Sequence, residues 1–316
     1  MEPMLIDAVP PAGFNYPYYL YVPDEPVGEL AVPVLVEPTN MPGPTDDFEA
    51  HLGESERRVT GGICRRIVDR LGVPLVHPVF PRPVSDPVDW THYTHSLCRE
   101  TMSLDETPLA NIDEQLLAMV DDARHRLDDH GIETRERFAL NGFSGSGTFA
   151  NRFAALHPAR VLSVSAGGIN GMAILPVEEA EVPVEFTDRR RLTYPVGIAD
   201  LEELTGSPFD RDAFRAVPQF LYLGSDDQRD PLRYPDAWTG VEERASAILV
   251  YGDDIHDDRF PTCRQIYADE GVSAVFRVYD GVGHDPGPAL DDIVAFHRHC
   301  MIGDDIEAIR RSVGGS

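Results

Sequence analysis

Ser144 stands at the centre of Gly142-Phe143-Ser144-Gly145-Ser146, a serine with a small residue two positions to either side. An alcohol is a weak nucleophile at neutral pH. It needs a base within hydrogen-bond reach, a group that orients the base, and N–H donors for the oxyanion that forms. The small flanks have a steric reason: a sharp strand-to-helix turn that lifts the serine clear of the backbone brings the residues on either side together. Ser146 occupies the fifth position where glycine is usual, which keeps the size rule. A glycine-rich corner of this kind can instead hold phosphate, but Gly142 to Gly147 has neither the lysine of a P-loop nor the spacing of a dinucleotide fingerprint.

Two later segments supply the partners. Gly224-Ser225-Asp226-Asp227 puts carboxylates just past an expected strand; Asp227 is the candidate acid and Asp226 its alternative. In a chain with 54 acids both could be surface groups. Gly281-Val282-Gly283-His284 places a glycine-flanked histidine between the last expected strand and the last expected helix. Together they make Ser144 the nucleophile, His284 the general base and Asp227 the acid that orients the histidine. The chemistry expected is hydrolysis of a small-molecule carboxylic ester through an acyl-enzyme, with no cofactor. Cleavage of an amide or peptide bond uses the same three groups, and a non-catalytic binding protein on the same fold is a further reading.

To position these residues the chain must alternate strand and helix, and it does. β-rich apolar runs fall at 15–22, 31–36, 73–80, 137–140, 161–165, 219–223 and 274–279. Between them lie helical spacings: Val59, Ile63, Ile67 and Leu71; Leu109 to Leu127; Phe149, Phe153 and Leu156; Leu290, Ile293, Val294 and His297. This is the pattern of an α/β domain over 1–316, a doubly wound, mostly parallel sheet with helices on both faces. Residues 169–217 break the alternation and read as a lid or cap insertion, and the tail after Ile302 reads as loosely held.

The order serine, acid, histidine, each at a strand's carboxyl end, resembles the α/β-hydrolase superfamily over nearly the whole chain. Within it, the stretch GFSGSGTFANRFAALHPARV resembles the nucleophile region of the polyhydroxybutyrate-depolymerase and feruloyl-esterase group, which aligns Ser144, not Ser146, with the nucleophile. The resemblance implies a serine esterase of the α/β-hydrolase fold. It departs at the oxyanion loop, where such enzymes commonly carry His-Gly and this chain has Glu37-Pro38-Thr39-Asn40-Met41. The backbone N–H of Gly145 is expected to supply one oxyanion donor, and Asn40 or its neighbour the other.

Other polar clusters read more plainly. His92 and His95 have helical ligand spacing without an evident third ligand, and Asp253, Asp254, His256, Asp257 and Asp258 lack the spacing of a calcium loop, so no metal site is expected. Trp90, Tyr93, Phe143 and Trp238 could line a pocket or belong to the core. Four scattered cysteines read as reduced thiols. The formal charge is −27, and all 27 basic residues are arginine. Nucleic acid and anionic membranes would be repelled. An acidic excess without lysine points to a saline cytoplasm, since arginine-for-lysine exchange alone does not explain the carboxylates. No signal peptide or membrane-spanning run is evident, and nothing bears on oligomeric state.

Overall fold

The computed structural model describes residues 2–24, 31–85, 96–181, 189–233 and 240–313. The sheet starts with β1 (Met4–Ile6) and β2 (Tyr18–Tyr21), followed by a short β3 (Leu35–Val36). Only two residues of the expected 31–36 strand pair in regular fashion; Val32 makes an isolated bridge to Thr134. Next come α1 (Phe48–Gly61), α2 (Ile63–Leu71) and β4 (Leu75–Pro78). The single helix expected around Val59 to Leu71 is two, because Gly62 is extended (ψ −177°) and ends one before the other begins.

Beyond these lie α3 (Arg99–Met102), α4 (Ile112–Asp129), β5 (Phe138–Phe143), α5 (Gly145–Leu156) and β6 (Val161–Gly167). The segment after β6 holds a small hairpin, β7 (Glu179–Glu181) with β8 (Arg189–Arg191), and the short helices α6 (Leu201–Thr205) and α7 (Arg211–Ala216). The chain then returns to the sheet with β9 (Gln219–Gly224), leaves it for α8 (Val241–Tyr251) and α9 (Phe260–Asp269), and closes with β10 (Ala274–Tyr279) and α10 (Leu290–Ile302). The tail is not loose. It forms α11 (Ile306–Val313), which buries Ile309 and Val313 completely against α10 and β10. Its apolar residues recur at helical spacing over too short a run to stand out in the sequence.

The eight-stranded sheet runs β1-β2-β4-β3-β5-β6-β9-β10, antiparallel at β1 and β2 and parallel from β4 onward. Successive side chains in a strand face opposite sides, so the sheet divides the core in two. Val34, Val36, Val76, Leu140 and Leu221 pack with Leu116, Val120, Phe149 and Phe153 of α4 and α5. Leu35, Leu75, Ala139 and Phe220 pack with Ile67, Leu71, Ile293 and Phe296 of α2 and α10. The arrangement is the doubly wound α/β sheet that the alternating pattern predicts. No described helix is long and apolar enough to cross a membrane. All four cysteines are free, and burial raises each thiol's pKa: Cys98 to about 11, Cys263 and Cys300 to about 12, and Cys64 well above the ordinary value.

One polar chain interrupts this core. Asn141 of β5 donates to Glu37 and accepts from Ser165 (2.6 Å), and His297 of α10 bonds Ser165 (2.8 Å) and Ser163 (2.9 Å). Burial pushes Glu37 up to about 7, only partly offset by Arg58 and Asn141. It pushes His297 and His77 down to about 3, with Arg58 adding to the effect at His77. Between pH 4.5 and 6.5, the ordinary values of glutamate and histidine, unfolding takes up two protons at the histidines and releases one from Glu37. Net uptake of one proton makes the stability contributed by these groups fall with falling pH, by about 1.4 kcal/mol per unit. Glu37→Gln removes the opposing group, so the slope over about pH 5 to 6 in denaturant titrations should steepen by about 1.4 kcal/mol per unit. Equal slopes in the two proteins would mean that folded Glu37 is ionised.

Candidate active site

The chain leaves β5 and enters α5 within one residue. Ser144 takes φ 60° and ψ −126°, a backbone conformation that costs a residue with a side chain about 1–3 kcal/mol. Local bonds hold it there: the Ser144 N–H donates to Gly167 (2.8 Å), and the Ser144 carbonyl accepts from Thr148 (2.9 Å). Ser146 uses its hydroxyl to accept from the Phe143 N–H and donate to the Phe143 carbonyl, both at 3.0 Å, so the serine in the glycine position ties the corner together. A Cβ on Gly142 would overlap the Ser146 carbonyl, and one on Gly147 would lie 2.8 Å from the Gly167 oxygen. The small residues around Ser144 are thus a requirement of close backbone approach.

β9 and β10 deliver the other two groups. Asp227 follows β9, is 2% exposed, and accepts from the Arg229 N–H on one oxygen (3.0 Å) and from His284 Nδ1 on the other (2.8 Å). Because Nδ1 donates to the carboxylate, the neutral imidazole keeps Nε2 as an acceptor. Asp226 is exposed and among the described residues accepts only from Ser225 Oγ (3.2 Å), so of the two candidates Asp227 is the one that meets the histidine. The two loops are laced together: the Asp226 N–H donates to Val282 (2.9 Å) and the Gly281 N–H to Ser225 Oγ (2.8 Å). The Phe143 ring sits 4.5 Å from the His284 ring, centre to centre, and backs the imidazole.

Ser144, Gly145, Asn40 and His284 line one cavity of about 630 Å³, with Asp227 behind the histidine. The segment after β6 contributes Ile169, Asn170, Met172, Ile174, Pro195 and Val196 to the same wall. Asn40 is clamped from both sides. Its side-chain amide donates to the Phe143 carbonyl (2.7 Å), and its own carbonyl accepts from Arg58 (2.9 Å), which Glu54 holds at 2.9 Å. Arg82 secures the following turn through the carbonyls of Met41 (3.0 Å) and Pro42 (3.1 Å). The backbone N–H groups of Asn40, Met41 and Gly145 find no acceptor among the described residues. They are the amides available to an anion beside Ser144.

Several supports could not be read from spacing. His256 Nε2 donates to the Asp227 carbonyl (3.0 Å), and buried Arg259 makes a two-point ion pair with buried Asp230 (2.7 and 3.1 Å), pinning the loop that carries the acid. The acidic cluster around them caps a turn: Asp254 accepts from the His256 and Asp257 N–H groups (2.8 and 2.9 Å), which hold its pKa low, and Asp258 accepts from Asp253 and Asp254 (3.2 and 3.0 Å). Asn141, just past the expected 137–140 strand, lies within β5 and is buried. Among the described residues, Asp113, Glu114 and His157 lie close enough to share an ion, but His157 already bonds Asp113 (2.8 Å) and none of the three lines the cavity. Trp90, His92, Tyr93, His95 and Trp238 lie outside the described residues.

No protein-family model and no curated protein matches the chain. Solved structures do. A poly(3-hydroxybutyrate) depolymerase from Bordetella parapertussis superposes with a TM-score of 0.55 at 17% identity, covering 98% of this chain and 94% of that one. The fold is the α/β-hydrolase fold. A poly(aspartic acid) hydrolase from Sphingomonas sp. KT-1 gives 0.54 at 14% identity over 95% and 97% of the two chains. An S-formylglutathione hydrolase from Agrobacterium tumefaciens gives 0.51 at 15% over 95% and 94%. On the α/β-hydrolase fold, the corner after β5 and the loops after β9 and β10 all open at the carboxyl edge of the sheet, where Ser144, Asp227 and His284 stand.

The steric limits at the corner are open to direct test. Gly142→Ala forces backbone atoms apart and should cost about 3 kcal/mol in urea unfolding. Gly283→Ala, where a Cβ meets nothing within 4 Å, should cost under about 1 kcal/mol. Equal costs would contradict the close approach at the corner.

Proposed function

We propose that the protein is a serine hydrolase of carboxylic esters, with Ser144 as nucleophile, His284 as general base and Asp227 as the acid that orients it. The observation that supports this best is His284 fixed by buried Asp227 in the cavity that Ser144 enters from a strained corner. Ser144 Oγ attacks the ester carbonyl and gives its proton to His284 Nε2, while the oxyanion takes hydrogen bonds from the Gly145 N–H and that of Asn40 or Met41. Collapse expels the alcohol with the proton from His284, and a water activated by the same nitrogen releases the acid. Residues 169–217 act as the cap over this cavity. The names of the superposing proteins, hydrolases and a depolymerase, agree with hydrolytic chemistry.

A fluorophosphonate probe should label Ser144 as located by peptide mass spectrometry, and Ser144→Ala should abolish both labelling and ester hydrolysis. An unlabelled, folded protein would overturn the assignment. Asp227→Asn should lower turnover about 10⁴-fold by presenting the wrong tautomer, whereas Asp226→Asn should change it by less than about threefold. The opposite ranking would move the acid to Asp226.

We also infer that the protein works in a saline cytoplasm. Its 54 acids against 27 arginines repel one another across the surface, and screening shortens that repulsion from about 10 Å at 0.1 M salt to about 3 Å at 1 M. The melting temperature should rise between about 0.1 and 3 M KCl. A flat or falling curve would remove the physical basis for this setting.

A further inference from the structure

The cavity is charged in a way that the molecule as a whole is not. Arg152 lies on α5 eight residues after Ser144, with Thr148 halfway between, and all three line the cavity. Arg152 is half-buried and uses Nη1 to donate to the Ser96 carbonyl (2.9 Å). Among the described residues its Nε and Nη2 meet no acceptor and no carboxylate pairs with it. The acids that line the same space are already engaged: Asp230 with Arg259 (2.7 Å), Glu243 with Arg99 (3.2 Å), and Glu100 is not free either. At the mouth Arg229, two residues past Asp227, exposes a second guanidinium without a carboxylate partner among the described residues.

A half-buried cation without a counter-ion is costly, and a chain with two acids for every arginine has ample means to supply one. We propose that the missing counter-ion is the substrate: an ester whose acyl part carries a second, free carboxylate, held by Arg152 while Ser144 attacks the ester carbonyl. This rests on the esterase reading and adds the substrate class. Eight helical residues span about 12 Å, and a helical side chain leans toward the N-terminus, so the guanidinium reaches back over Thr148 toward Ser144. The gap suits an acyl chain with about four carbons between its two carboxyl carbons. The planar donor face left by Nε and Nη2 matches a carboxylate in two-point contact.

The test compares the 4-nitrophenyl monoester of adipic acid with 4-nitrophenyl hexanoate, of equal chain length and no charge, in molar KCl to screen the repulsion between an anion and a −27 chain. A charge-assisted pair should favour the charged ester by about tenfold or more in kcat/KM, mostly through KM. In Arg152→Gln the charged-to-neutral ratio should fall to about one, with Arg152→Lys between, because a point charge keeps the attraction but loses the two-point contact. Should Arg152→Gln fail to fold, the unaltered enzyme still decides: adipate should inhibit about tenfold or more tightly than hexanoate. Turnover of the neutral ester with no preference for the charged one, or equal inhibition by the two acids, overturns the inference and leaves the esterase reading intact. Failure to hydrolyse either ester together with an unlabelled Ser144 overturns the esterase reading, and this inference with it.

Discussion

Ser144 stands free at the carboxyl edge of the sheet because the backbone there turns from strand to helix inside a single residue. That constraint at Ser144, with φ at 60°, governs the rest of the molecule. It demands backbone at contact distance on both sides, hence Gly142 and Gly147, and it demands anchors, hence the bonds from Gly167, Thr148 and Ser146. The neighbouring parallel strands β6, β9 and β10 then share one direction, so their following loops all emerge beside the serine. Energy released by two apolar layers, one on each face of the sheet, offsets the local strain.

Charge is organised by depth. Over the whole chain, carboxylates outnumber arginines two to one. Near the cavity, arginines do structural tasks that a short ammonium group would do poorly: Arg58 and Arg82 hold the carbonyls of the loop beside Ser144, and Arg259 spans from Asp230 to the carbonyls of Gly252 and Asp253. A guanidinium offers several donors in a rigid plane and binds more than one acceptor at once. The absence of lysine therefore has a counterpart in the architecture as well as in the surface.

Much of this was legible because it depends on local periodicity. The alternation of apolar runs forecast a doubly wound sheet, and β10 falls at the expected 274–279. Small residues around Ser144 and the glycines near Asp227 and His284 mark backbone turns, which sequence expresses directly. Pairings between distant segments leave no such trace. The contacts of His256 with Asp227, Arg58 with Asn40 and Glu37 with Asn141 join residues 18 to 104 positions apart, and nothing in spacing selects them. Short elements fail for a related reason. β3 pairs over two residues, and α11 is too brief for its apolar stripe to separate from chance.

The four cysteines have a consequence of their own. Alkylation and disulfide exchange proceed through the thiolate, and a thiol with a pKa of about 11 to 12 is ionised to less than about one part in a hundred at pH 8. The buried thiols should therefore react slowly with maleimide or iodoacetamide, even though no sulfur is tied up in a bridge. At the three buried sulfurs, Cys64, Cys263 and Cys300, reactivity appears when the packing opens. Each of these three thus serves as a built-in clock for the breathing of its own region: Cys64 for α2, Cys263 for α9 against the segment after β6, Cys300 for the seam of α10.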